Sequence, residues 1–487
     1  MESTNSLRPE PRRIVIIGGG ITGLTTAYRL EDALRREAVA ASITVLERDD
    51  RLGGKFFTIR RDGFIIEAGP EGFVGAAPEG YQLCADLGLA ADLQSPGRAH
   101  GGSSILYKGT LHPITQGVTD ILPLRPGLLL AEGVLSPAGA LRAMLEPFIP
   151  PRTDGPEESM ADFLRRRFGE EAWWNVLEPL MGGIAGGEGE SLSAPAAAPG
   201  LVAFERKYGS VSIGARKQKA MLDDLGKADV TLVAPRQGMD IIIERLVARL
   251  RERPNVTLQT GTTVEAIERR PDGYDVVVRR DGAVERRPAD VVVVTAPAFQ
   301  AAASLRSLDT ELADTLARVS YRSMATFSFA FRAEEAPKIL AGTGYVKHSR
   351  ERGPVNSMTW DSIRWAGHAP EGYALLRAFI SDDRVVEQSS DEQLIALGLD
   401  EIRTVLKIHA EPVLIAGRRW SPALPRYTLG HLDRVAAVAR RVATLPGLIL
   451  AGTSYKGRGV TDAIRSANEA AEAAAQQAAA PGPGVVV

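Results

Sequence analysis

Arg13-Ile14-Val15-Ile16-Ile17-Gly18-Gly19-Gly20-Ile21-Thr22-Gly23-Leu24 is a β-branched run that ends in glycines spaced G-x-G-x-x-G and passes at once into an apolar-periodic segment, Leu24 to Leu34. The order is strand, tight turn, helix. Gly18 permits the turn, Gly20 lets the backbone approach a pyrophosphate, and Gly23 lets helix pack on strand. The helix N-terminus, from Ile21 and Thr22 onward, offers free N–H groups and a positive dipole to phosphates. A second strand, Ile43-Thr44-Val45-Leu46, ends in Glu47, placed to accept hydrogen bonds from both ribose hydroxyls. The segment therefore reads as an adenine dinucleotide site.

NAD, NADP and FAD all fit such a site. A carboxylate at the ribose repels a 2′-phosphate, which disfavours NADP. Glu47 runs directly into Arg48-Asp49-Asp50-Arg51-Leu52-Gly53-Gly54-Lys55. This resembles the acid-then-R-x-G-G signature of the flavin-containing amine oxidase superfamily, so FAD is the expected cofactor.

The chain has 487 residues, 44% of them hydrophobic, and a net charge of −2. That length predicts more than one domain, and the charge balance gives no reason to expect a nucleic-acid partner. A single cysteine, Cys84, excludes an internal disulfide and a thiolate metal cluster and suits a reducing compartment, so the cytoplasm is expected. Met1 to Arg12 lacks the apolar core of a secretory signal. No run reaches the ~18 apolar residues a spanning helix needs. Ile121 to Leu135 and Ala138 to Pro150 are nonetheless rich in Leu, Met, Phe and Ile. Packed core is the plain reading of these two stretches, and a surface touching membrane or a partner is the alternative.

Further strand patterns recur far along the chain, at Val256 to Gln259, Val264 to Ile267, Asp290 to Pro297 and Gly447 to Gly452, and Gly459-Val460 leads into an Ala-rich helix. The expected fold class is α/β: a discontinuous Rossmann-like FAD-binding domain (12–90, 236–297 and 436–478), a largely helical insert (95–215) and a substrate-binding domain built on a mixed sheet (298–435).

Over nearly its whole length the chain resembles the bacterial coproporphyrinogen III and protoporphyrinogen oxidases of haem synthesis. The pieces that carry the likeness include Gly69-Pro70-Glu71-Gly72-Phe73, Glu178-Pro179-Leu180-Met181-Gly182-Gly183-Ile184, Pro425-Arg426-Tyr427-Thr428-Leu429-Gly430-His431 and Gly452-Thr453-Ser454-Tyr455-Lys456-Gly457-Arg458-Gly459-Val460. The resemblance implies non-covalent FAD held by Gly18 to Gly23, Glu47, Arg48 and Lys55, with Gly69, Pro70, Glu71 and Gly72 beside the ring. Val264 would meet the adenine, Trp420 the cofactor, and Arg458-Gly459-Val460 the closing loop. It further implies a six-electron oxidation of a porphyrinogen, with O2 as acceptor and H2O2 as product.

For the substrate pocket Gly183 and Ile184 are the expected residues, since little or no side chain there would let a flat macrocycle approach, and Met358 and Trp360, on a predicted strand, would supply apolar cover. Lys347, Lys207, Arg350 and Arg364 are candidate propionate anchors by charge and neighbourhood. No acid–base residue is expected, because the flavin carries the chemistry. The six histidines lack metal-ligand spacing. A ferrochelatase-type partner and peripheral contact with the inner face of the cell membrane complete the expectations. Coproporphyrinogen III is the expected substrate and protoporphyrinogen IX the alternative. A different flavin amine oxidase or a non-enzymatic flavoprotein are more distant readings.

Overall fold

Strands Leu448–Leu450, Val291–Val294, Arg12–Ile17, Ala41–Leu46 and Val256–Gln259 pair in that order, all parallel, into a five-stranded sheet. The computed structural model describes residues 10–75, 77–97, 102–114, 117–118, 121–185, 189–224, 232–336 and 342–480. Alternation along the central strand explains its unbroken apolar run. Ile14 and Ile16 face one core with Ile43, Val45, Val291 and Val293, whereas Val15 and Ile17 face another with Leu46, Val292 and Val294. A parallel sheet covered on both faces needs apolar residues at every position.

The first face is covered by helices Ile21–Arg36, Ile241–Arg251 and Val460–Ala479. The second carries a three-stranded antiparallel sheet, Thr262–Arg270, Gly273–Arg280 and Ala283–Ala289. Helices Ala298–Leu305 and Thr310–Ala317 also pack there, through Ala301, Leu305, Leu312 and Leu316. By packing, residues 298–319 thus belong to the nucleotide side, although the sequence pattern places a boundary before them.

A seven-stranded sheet stands opposite. Its order is Leu414–Pro425, Tyr321–Arg332, Tyr373–Ile380, Val355–Trp360, Gly344–Lys347, Ser104–Tyr107, Thr110–Pro113. All neighbours are antiparallel except Gly344–Lys347 and Ser104–Tyr107. The last two strands come from within the segment expected to be helical; β-branched and aromatic residues in Ser104–Tyr107 let it extend the sheet edge. The rest of that segment is mainly helical and has its own core, in which Phe163, Phe168, Trp173 and Leu177 are buried. Among the described residues, no helix is long and apolar enough to cross a membrane.

Candidate flavin site

Gly18 adopts φ +110°, the left-handed region open to glycine. Helix Ile21–Arg36 then seats so closely on the turn that a Cβ on Gly23 would lie 1.9 Å from the Gly18 carbonyl oxygen and 2.8 Å from Thr295 Oγ1. Above Gly20 the space is open for 4 Å, and no side chain caps the helix that begins there. A pyrophosphate has both the room and the donors.

Glu47 leaves the second strand half-buried, and its carboxylate is fixed by two backbone donors: Gly19 N–H at 2.7 Å and Asp49 N–H at 2.9 Å. The R-x-G-G stretch folds back over the glycine turn, where Gly53 N–H reaches the Gly19 carbonyl at 2.8 Å. Val264 sits at a bulge in the strand that follows Thr262, whose N–H donates to the Glu47 carbonyl at 2.8 Å. Glu47, the expected ribose acid, and Val264, the expected adenine position, are thereby neighbours. The Arg48 side chain is 56% exposed and pairs with Asp49 at 3.2 Å.

Cations gather along the site. Arg51 and Arg418 stack on the Phe57 ring at 4.7 and 4.6 Å, and Arg418 also lies 4.5 Å over Trp420. Burial, then the neighbouring Arg418, lowers the Arg51 pKa. Burial pulls the Lys55 ammonium down to about 8. This concentration of positive charge lies next to the glycine turn, where Arg51 also donates to the carbonyls of Gly54 and Phe56, and it suits the phosphates of a dinucleotide. Arg418 and Phe57 had no assigned role in the sequence reading, since a stacked cation leaves no local motif.

The Gly69–Gly72 segment runs beside these groups. A Cβ on Gly69 would lie 1.9 Å from the Lys55 carbonyl oxygen, and one on Gly72 would lie 2.8 Å from the Val233 carbonyl oxygen. Glu71 pairs with Arg364 at 2.9 Å. Trp420 Nε1 donates to the Ala68 carbonyl at 2.6 Å, so this indole holds the backbone next to the expected ring position.

The closing loop is tied down by Tyr427, whose hydroxyl lies 2.7 Å from the Thr453 carbonyl and 2.9 Å from that of Gly457. Tyr427 is itself stacked on His431 at 4.0 Å between centroids, and Arg458 lies 5.6 Å over its ring. Burial lowers the Arg458 pKa. Gly459 has φ −83° and ψ 167°, ordinary extended backbone, and caps helix Val460–Ala479. The conformational demand falls instead on Gly457, at φ +67°, where a Cβ would stand 2.2 Å from Asp462 Cγ.

The substrate-side assignments fare unevenly. Gly183 and Ile184 lie in helix Glu178–Ala185, but their surroundings fall outside the described structure. Met358 and Trp360 are 0% and 1% exposed and belong to the core of the seven-stranded sheet. Strand residues facing that core leave no surface for a ligand, so pocket lining is corrected to packing for both. Lys347 is also corrected: its ammonium lies 2.6 Å from Glu401 Oε2, which keeps it from a propionate. The partner carboxylate lies 54 residues away in sequence, which local inspection cannot anticipate. Arg364 is engaged with Glu71, whereas Lys207 and Arg350 stack on Tyr208 and Trp174 at 5.2 and 5.9 Å. No group of His, Cys, Asp or Glu able to hold a metal ion occurs among the described residues.

The family described as flavin containing amine oxidoreductases matches residues 21–475. The chain belongs to that family. As a flavoprotein oxidoreductase it has relatives that match end to end. Coproporphyrinogen III oxidase of Bacillus subtilis (strain 168) is 30% identical over 461 residues, covering 93% of this chain and 96% of the relative. The enzyme of that name from Propionibacterium freudenreichii subsp. freudenreichii is 32% identical over 492 residues, covering 94% and 90%. A crystal structure from Exiguobacterium sp. 255-15, provisionally assigned as a protoporphyrinogen oxidase, superposes with TM-score 0.81 at 30% identity, covering 96% of this chain and 99% of that one. Reduced UDP-galactopyranose mutase, at TM-score 0.68 and 16% identity, shares the fold alone.

Proposed function

We propose that this protein is an oxygen-dependent porphyrinogen oxidase that binds FAD non-covalently and converts coproporphyrinogen III to coproporphyrin III in haem synthesis. The observation that carries the reading is the near full-length match, at 30% and 32% identity, to two enzymes named for coproporphyrinogen III. The balance is coproporphyrinogen III plus three O2 to coproporphyrin III plus three H2O2, with six hydrogens leaving the macrocycle. When bound, the flavin supplies two-electron acceptance from a meso carbon and reoxidation by O2.

The chain's own residues hold and orient. Glu47 would take the ribose hydroxyls, the uncapped helix at Gly20 and the Arg51–Arg418 pair would face the phosphates, and Gly69–Gly72 would lie beside the ring. Lys55 and Arg458, both stripped of water by burial, favour a negative partner and suit the reduced flavin. Cys84 supports non-covalent attachment: it is buried within helix Pro78–Asp86, and burial raises its thiol to about 12, which leaves it unreactive.

Protoporphyrinogen IX is the second reading, favoured by the 24% identity over 489 residues to protoporphyrinogen oxidase 2 of Arabidopsis thaliana. Steady-state assays with both freshly reduced porphyrinogens, read by porphyrin fluorescence and peroxide release, decide between them. A higher kcat/KM for protoporphyrinogen IX would replace the first substrate by the second. Turnover of neither would leave only the flavoprotein.

Cytoplasmic residence with peripheral membrane contact belongs to the same proposal. Leu141, Met144, Leu145 and Phe148 are 56, 48, 43 and 79% exposed on neighbouring turns of the helical insert, and such a patch suits a lipid interface. Sedimentation with phospholipid vesicles tests it, and Phe148→Asp should abolish any binding. A ferrochelatase-type partner would receive the product, since a free planar porphyrin is poorly soluble in water.

A further inference from the structure

The carbonyls of two consecutive residues, Ala68 and Gly69, are held by side chains from a distant part of the chain. Trp420 Nε1 donates to the first at 2.6 Å, and Arg377 Nη2 donates to the second at 2.7 Å. The donors stand on strands Leu414–Pro425 and Tyr373–Ile380, which flank the strand Tyr321–Arg332 in the seven-stranded sheet. On the other side the chain entering the Thr58–Arg61 strand closes the gap: Ala68 N–H donates to the Phe57 carbonyl at 2.8 Å, and Gly69 lies against the Lys55 carbonyl without room for a Cβ. The segment is gripped from both sides.

Arg377 is 1% exposed. Burying a guanidinium is costly unless its donors are bonded, and arginine–carboxylate pairs are frequently bidentate. Here Nε donates to Thr326 Oγ1 at 2.7 Å and Nη2 to the Gly69 carbonyl, whereas Glu71 stays 3.6 Å from Nη1, which has no hydrogen-bond partner. Glu71 turns its better geometry to Arg364. Of the two directed bonds of Arg377, one goes to Thr326 and the other to the peptide that borders the site, while its ion pair with Glu71 is the longer contact.

We propose that Arg377 and Trp420 are positioning residues that set the height and tilt of the Gly69–Gly72 segment against the flavin ring, so that the substrate-side sheet tunes the flavin through the backbone. The inference rests on the reading that this segment lies along the ring. Neither side chain needs to touch the ring for this effect, because a peptide displaced by a few tenths of an ångström changes the dipoles that the ring meets.

The test uses the full-length holoenzyme with Trp420→Phe, Arg377→Lys and Arg377→Met. Each variant should keep one FAD per chain, alter the visible circular dichroism of the bound flavin and displace its midpoint potential. The kcat should fall about fivefold or more, with KM little changed, for loss of one such bond. Arg377→Lys should recover part of the loss seen in Arg377→Met. The double variant Trp420→Phe/Arg377→Lys should show less than the summed change, since both donors act on adjoining peptides. Trp420→Phe keeps an aromatic ring beside Arg418 and carries the test alone if Arg377→Met does not fold. A lowered melting temperature with unchanged dichroism and potential would reduce both residues to structural ones and overturn the proposal. Wild-type protein that takes up no FAD would instead overturn the flavin reading beneath it.

Discussion

Replacing Glu47 by alanine removes a carboxylate that already accepts from Gly19 N–H at 2.7 Å and Asp49 N–H at 2.9 Å. A carboxylate offers about four acceptor positions, so the same two oxygens can serve both backbone donors and both ribose hydroxyls. Hydrogen bonds to a charged group are worth about 1.5–3 kcal/mol each, which gives about 3–6 kcal/mol for the pair of hydroxyls. At about 1.4 kcal/mol per decade, FAD should bind roughly 10²–10⁴-fold more weakly. Loss of the Gly19 anchor adds to this, because the glycine turn loses its hold on the second strand. Glu47→Gln keeps one acceptor oxygen and should cost about tenfold. Titrating apoprotein with FAD, followed by quenching of flavin fluorescence, measures both variants. A Glu47→Ala dissociation constant within about threefold of wild type, less than one hydrogen bond is worth, would refute the assignment of this acid to the ribose.

Gly23→Ala should be among the most damaging substitutions of its size, since its Cβ would stand 1.9 Å from the Gly18 carbonyl oxygen; a loss of about 1–3 kcal/mol in thermal or denaturant unfolding is expected, and an unchanged midpoint would refute the packing argument. Gly457→Ala should impair flavin retention more than Gly459→Val does, because only Gly457 has positive φ and abuts Asp462, and the reverse order in flavin content after gel filtration would contradict this. Glu67 is 1% exposed, and burial pushes its carboxyl up from 4.5 to about 8, against the hydrogen bonds from Met239 and Thr58. The folded state then keeps a proton that the unfolded state has lost between these two values, so the group erodes stability as pH rises from about 4.5 to about 8. Glu67→Gln removes that dependence: its melting temperature should gain on wild type across this window, and parallel profiles would refute the shift.

Local demands made much of the nucleotide side legible. Glycines that a turn or a close approach requires, and strands apolar at every position, declare themselves within a dozen residues. The stretch Ile14 to Ile17 is a strand as such a reading expects, and Glu47 stands at the end of the next strand, bonded to the glycine turn. The substrate side was less legible for a physical reason. Trp420 and Arg377 act on Ala68 and Gly69 across 352 and 308 residues, and nothing near either residue in sequence announces a backbone carbonyl as its target. Lys347 illustrates the opposite error: a basic residue by charge alone suits an anionic ligand, but a buried acid, Glu401, neutralises it. In the closing loop the positive φ falls on Gly457 and not on Gly459, because G-x-G spacing does not say which glycine makes the bend.

The parallel sheet joins the strand Arg12–Ile17 to Val291–Val294, which in turn carries Leu448–Leu450, and the first long helix is covered by Val460–Ala479. During synthesis, helix Ile21–Arg36 therefore leaves the ribosome long before its covering partner. At about 5–20 residues per second the interval is roughly 20–90 s. Throughout it the side of that helix that meets Val460–Ala479 lacks its partner, although strands Arg12–Ile17 and Ala41–Leu46 and helix Ile241–Arg251 are all made before that partner. A nascent chain can neither capture cofactor nor hide this surface until its last helix has emerged, so newly made protein should depend on chaperones and on prompt release, and truncation before residue 460 should yield aggregate rather than apoprotein.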